Sequence, residues 1–146
     1  MLNEPPKPVW PSGVRLSAFS EELAHPAHAL LVRSYANGGG SVTAFEVWRG
    51  ALIADAEYDQ DLVISVLDRS GLIIAFVLCW NSAFIKDLVV DPDRRRKGLG
   101  EALLLHVLGI FFLRGQNTVS LKVELNNPFG AERLYRQMGF EDVLSP

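Results

Sequence analysis

Three apolar runs follow one another with almost nothing between them: Asp61–Asp68, Leu72–Trp80 and Ala83–Val90. The gaps are only Arg69-Ser70-Gly71 and Asn81-Ser82. Neither can hold a crossover, which takes about a dozen residues or more between parallel strands. The three runs are therefore expected to pair as an antiparallel meander, with Arg69-Ser70-Gly71 as a hairpin turn. Leu99–Arg114 comes next. It is apolar almost all round and is followed by Gly115, so it reads as a helix covered on more than one side and capped by that glycine. Val119–Leu125 then returns as a strand. A strand–helix–strand unit of this kind makes a crossover to a parallel neighbour.

The flanks complete the pattern. Gly13–Phe19 alternates loosely and reads as a strand. Ser20-Glu21-Glu22-Leu23 opens a helix with an N-cap serine and early acids, with Pro26 in or near its first turns. It runs to about Tyr35 and ends at Asn37-Gly38-Gly39-Gly40-Ser41. Phe45–Ile53 is a second, short helix. Near the other end, Asn127 caps and Pro128 starts a helix that reaches Met138, where Gly139 stops it. Phe140–Leu144 forms a last short strand. The order β, α, α, β, β, β, α, β, α, β predicts an α/β domain (α+β in its mixed sheet) over residues 13–146. Residues 1–12 hold four of the eight prolines and read as an extended arm.

Composition excludes several classes. Hydrophobic residues at 49% and charged residues at 21% suit a globular core rather than a disordered chain. A net charge of −3 lacks the basic excess of a nucleic-acid binder. The longest apolar stretch, Ala102–Leu113, is broken by His106 and Gly109 and falls short of the roughly 20 residues that span a bilayer. The beginning of the chain carries no apolar signal core, so a cytoplasmic location is expected. Cys79 is the single cysteine, which rules out an internal disulfide, and within Phe76-Val77-Leu78-Cys79-Trp80 it reads as a small core residue. His25, His28 and His106 do not make a ligand set, and no metal is expected. Trp10, Trp48 and Trp80 read as packing residues.

The chemistry is concentrated in Val89-Val90-Asp91-Pro92-Asp93-Arg94-Arg95-Arg96-Lys97-Gly98-Leu99-Gly100, where a strand ends and a helix begins. A helix N-terminus carries unpaired N–H groups and about half a positive charge. Stability alone would favour acids there, yet four cations and two glycines occupy the place. An exposed basic turn is the plain alternative. Both departures are explained together if a phosphate or pyrophosphate sits on the amides. The P-loop and dinucleotide-binding fingerprints are not matched.

Arg95-x-x-Gly98-x-Gly100 resembles the Gln/Arg-x-x-Gly-x-Gly/Ala signature of the GNAT superfamily of acetyl-CoA-dependent N-acetyltransferases. The block from Leu121 through Asn127 and Leu134-Tyr135 to Gly139-Phe140 is similar to the family's strand–Asn–helix–Leu-Tyr-x-x-x-Gly-Phe block. The resemblance implies the acyl-CoA N-acyltransferase fold and acetyl-CoA as co-substrate. It implies that the backbone of Leu88, Val89 and Val90 pairs with the pantetheine arm. Amides from Arg95 through Arg96, Lys97, Gly98 and Leu99 to Gly100 would hold the pyrophosphate. Side chains from Arg94 to Lys97 would add charge, the adenosine 3′-phosphate being one target. Asn127 would contact pantetheine or simply cap its helix. Tyr135 would protonate the departing thiolate.

Two departures stand out. Phe84, Lys86 and Lys122 occupy strand positions where better-known members carry a glutamate, which leaves Asp87 and Glu124 as candidate bases. The chain also stops six residues after Phe140, where members commonly have two strands, so a partner copy completing the sheet is one expectation and an open edge the other. The implied activity is direct acetyl transfer in a ternary complex to an amine of a small molecule, peptide or protein. The alternative is an inactive acyl-CoA-sensing module of the same fold.

Overall fold

The computed structural model describes residues 3–36, 42–95 and 97–121. Its elements run β1 (Arg15–Ala18), α1 (Glu21–Tyr35), α2 (Phe45–Ala54), β2 (Val63–Leu67), β3 (Ile73–Trp80), β4 (Phe84–Val90), α3 (Leu99–Leu113) and β5 (Ser120–Leu121). The sheet order is β1-β2-β3-β4-β5. The first three pairings are antiparallel and β4–β5 is parallel, so the expected meander and crossover are both present. The mixed sheet with helices on both faces is the predicted fold class.

Each face of the sheet carries its own core. α3 covers one face, where Val77, Cys79 and Ile85 meet Leu103, Leu104 and Phe111. α1 and α2 cover the other, where Phe76, Leu78 and Val89 meet Leu30, Leu31 and Trp48. β2 and most of β3 are buried on both sides, which explains why they read as continuous apolar runs rather than alternating ones. α3 buries eight residues around most of its circumference, as its sequence predicts.

Some boundaries differ for local reasons. The run Asp61–Asp68 begins as a 3₁₀ turn, Gln60–Leu62, because the Asp59 carboxylate accepts the Asp61 amide at 2.9 Å; the strand starts at Val63. Ser20 occupies the N-cap position of α1 but makes no side-chain capping bond. Pro26 lies inside α1. Gly71 and Gly115 adopt φ of 88° and 79°, as a hairpin turn and a helix stop demand. The arm has no regular secondary structure from Asn3 to Pro11, and Trp10 anchors it by packing edge-on against His106 of α3. The expected helix Asn127–Met138, the strand Phe140–Leu144 and the glycine run lie outside the described residues.

Candidate active site

β4 forms the centre of the site, and one irregularity sets which way its side chains face. Leu78 pairs with Asp87 and Cys79 with Ile85, so Lys86 is an extra residue in the strand. This β-bulge switches the alternation. Ile85 enters the α3 core, while Asp87, two residues on, turns to the α1 side and is only 9% exposed. Beyond the bulge the strand is regular: Val89 packs under α1, whereas Leu88 and Val90 pack toward α3. Among the described residues, β5 pairs with β4 only at Phe84 and Ile85.

The last turn of α1 fastens this strand. The Tyr35 hydroxyl donates to Asp87 Oδ1 at 2.6 Å, and Lys86 Nζ approaches Asp87 Oδ2 at 3.2 Å. Arg33 Nη2 donates to Asp91 Oδ2 at 2.9 Å. Asp91, also buried, accepts the Asp93 amide through its other oxygen at 2.9 Å and so shapes the turn that follows. Asp87, Arg33, Tyr35 and Asp91 thus form a polar seam between α1 and β4. Only Asp87 was identifiable in the sequence. Arg33 and Tyr35 lie more than 50 residues away from their partners, and no local spacing announces such a pairing.

After β4 the chain makes a 3₁₀ turn, Pro92–Arg94, and then straightens at Arg95. Arg95 Nε donates to the Val90 carbonyl at 3.2 Å, and burial pushes its guanidinium pKa down. Arg94 Nη2 reaches back to Asp68 Oδ2 at 3.0 Å and ties the segment to the β2–β3 turn. Lys97 and Gly98 are exposed.

Gly98 is the N-cap of α3 with φ 82° and ψ 6°, a left-handed conformation that costs a residue with a Cβ about 1–2 kcal/mol. It has no side chain to cap the helix, and its carbonyl accepts the first helical bond, from the Ala102 amide. The amides of Leu99, Gly100 and Glu101 therefore begin the helix without intrahelical acceptors. Among the described residues, a Cβ built on Gly98 would meet nothing within 4 Å. A glycine in place of a capping side chain costs only about a few tenths of a kcal/mol. Eight buried α3 residues, at about 1.5–3 kcal/mol for each large one, outweigh that easily. Packing holds the helix, which leaves its start available for an anion.

Leu88, Val89, Val90, Arg95, Lys97, Gly98, Leu99 and Gly100 thus lie on one continuous strand–turn–helix path, with Asp87 at its beginning. Arg96, Glu124, Asn127 and Tyr135 lie outside the described residues. Cys79 is fully buried, and burial first, then the Asp87 charge, pushes its thiol pKa far up, which removes it as a nucleophile. His25 stacks on Phe45 at 3.5 Å, and His28 Nε2 contacts the Thr43 carbonyl at 2.8 Å. Trp48 packs among Phe19, His28 and Phe76. Among the described residues, no helix is long and apolar enough to cross a membrane.

Comparison with known proteins agrees with this fold. The chain is 35% identical over 141 residues to mycothiol acetyltransferase of Clavibacter sepedonicus, covering 91% of this chain but 44% of that protein. It therefore spans less than half the length of that relative. Over 80 residues it is 35% identical to the ribosomal protein bS18-alanine N-acetyltransferase of Escherichia coli, covering 53% of each. A crystal structure of a GCN5-related N-acetyltransferase from Sphaerobacter thermophilus superposes with a TM-score of 0.79 at 27% identity, over 94% of this chain and 44% of that one. Residues 24–140 match the acetyltransferase (GNAT) family, and the chain belongs to that family.

Proposed function

We propose that the chain transfers the acetyl group of acetyl-CoA to a primary amine by direct attack in a ternary complex. The observation that carries this reading is the start of α3. An uncapped helix N-terminus, opened by a left-handed glycine and preceded by cations, suits a pyrophosphate better than it suits a bare helix. Its position directly after β4 lets the pantetheine arm run along Leu88, Val89 and Val90 with the thioester near the bulge.

The amine nitrogen attacks the thioester carbon, the tetrahedral intermediate collapses, and the carbon–sulfur bond breaks. A base takes the proton from the amine, and Tyr135 delivers a proton to the thiolate sulfur. Asp87 and Glu124 are the candidate bases. Asp87 is supported by its burial on β4 and by donors that orient its carboxylate. Relatives named for mycothiol and for a ribosomal protein alanine leave both small-molecule and protein acceptors open, and a cytoplasmic location accords with either.

The second reading, an acyl-CoA sensor, draws on the same aspartate. Lys86 and Tyr35 engage both Asp87 oxygens, as in a purely structural seam. Incubation with labelled acetyl-CoA and a panel of amines and peptides separates the two. The enzyme reading expects turnover on some acceptor and a loss of kcat in Tyr135→Phe. CoA binding with no turnover on any acceptor supports the sensor.

A further inference from the structure

The two bonds that Asp87 accepts differ in kind. Tyr35 donates to Oδ1 at 2.6 Å, and Lys86 Nζ lies 3.2 Å from Oδ2. Tyr35 belongs to the last turn of α1, and its ring packs against the core between that helix and the sheet. A tyrosine has only two side-chain torsions to fix, and a short bond from its hydroxyl to a carboxylate is charge-assisted. Lys86 is the extra residue of the bulge. Its side chain is 46% exposed, against 10% for that of Asp87. A lysine ammonium is a strongly hydrated charge on a flexible stem, and a half-exposed pair of this kind contributes little net stability. One oxygen is therefore fixed from the packed side. The other is held from the open side by a group that can leave.

The seam does not need the second bond. Tyr35 and Arg33 already tie α1 to β4, through Asp87 and Asp91. Lys86 and Asp87 are neighbours in one strand, so their pair joins no two elements. What Lys86 does place at Oδ2 is a primary ammonium. An amine acceptor with a pKa near 10 carries the same group at neutral pH.

We propose that Tyr35 is a positioning residue that holds Oδ1 so that Oδ2 takes the acceptor's proton, and that Lys86 is a tethered stand-in for the acceptor, displaced from Oδ2 when the acceptor's ammonium enters. The assignment rests on the acetyl-transfer reading above with Asp87 as its base. One N–H proton of the entering ammonium passes to Oδ2, and the neutral nitrogen attacks the thioester carbon as the carbon–sulfur bond breaks. The nitrogen's second proton, released on attack, restores the one that Tyr135 gives to sulfur. The proton on Oδ2 leaves to water, and Lys86 returns.

The test is steady-state kinetics of the full chain with acetyl-CoA and an acceptor panel that includes an alanine-ended peptide and butylamine. The chains compared are wild type, Tyr35→Phe, Lys86→Met, Lys86→Arg and Asp87→Asn, with CoA affinity read by calorimetry. Tyr35→Phe should lower kcat about tenfold or more, the range for a hydrogen bond to a charged group, at wild-type CoA affinity. Lys86→Met should raise kcat/KM for the acceptor about two- to fivefold through a lower acceptor KM, the range for an exposed ion pair. Lys86→Arg, which keeps a cation at Oδ2, should not. A Lys86→Met value at or below wild type overturns the stand-in. A Tyr35→Phe chain that loses thermal stability but keeps its kcat overturns the positioning role. If Asp87→Asn loses kcat while the Tyr35 and Lys86 variants behave as wild type, this proposal fails alone. If Asp87→Asn keeps its kcat, or if no acceptor turns over, the reading beneath fails, and this proposal fails with it.

Discussion

α1 and α3 are both fifteen-residue helices packed on the same sheet, yet they begin in opposite ways. α1 starts after a serine with Glu21 and Glu22 in its first turn and has Arg33 in its last, the arrangement a helix dipole favours. Glu21 also takes both nitrogens of an Arg49 fork, which holds its carboxyl below the ordinary range. α3 starts after a left-handed glycine behind a cationic segment, with Glu101 its one acid in the first turn; neither helix start makes a side-chain capping bond. Local stability accounts for the first end. The second end makes sense with the anion proposed above.

The sharpest way to break this contrast is to fill the α3 end. Gly98→Val with Gly100→Val should abolish CoA binding while circular dichroism stays native, because packing rather than the cap holds the helix. Gly98 alone should lose about 1–2 kcal/mol of stability for its left-handed φ. Asp87→Asn comes next. As the base it should lower kcat by about a hundredfold or more with little change in the acetyl-CoA KM; a change confined to thermal stability would reduce Asp87 to a member of the α1–β4 seam. Lys97→Gln should weaken CoA binding severalfold, and that difference should shrink in high salt, since the side chain is exposed. At the α1 end, Ser20→Ala should cost less than the roughly 1 kcal/mol typical of a capping serine, because no capping bond is made, and should leave CoA affinity untouched.

Acid tests the β2–β3 turn. The Ser70 hydroxyl, helped by the Leu72 and Ser70 amides and by Arg94, lowers the Asp68 pKa to about 2. Its folded value lies below its unfolded one, so its stabilising contribution is complete above about pH 4 and disappears as pH falls toward 2. Denaturant titrations at pH 6 and pH 3 should show a smaller decline in Asp68→Asn than in wild type.

The sequence carried the meander, the crossover and the glycine-opened helix start behind its cations. Each depends on local signals: turn residues, apolar runs, and charge against the dipole. The bulge was not legible. Strict alternation would put Asp87 on the same face as Ile85, inside the α3 core, and only the extra residue at Lys86 turns it to the α1 side. The seam from Arg33 and Tyr35 was hidden for a related reason. Its bonds are long-range contacts fixed by how elements dock, and residue type at a given spacing does not encode them.

The most direct test of the central claim is a calorimetric titration of the wild-type chain with CoA and, separately, with ATP. If the α3 end is the pyrophosphate site of acetyl-CoA, CoA binds saturably and ATP competes weakly or not at all. ATP binding without CoA binding would contradict the account.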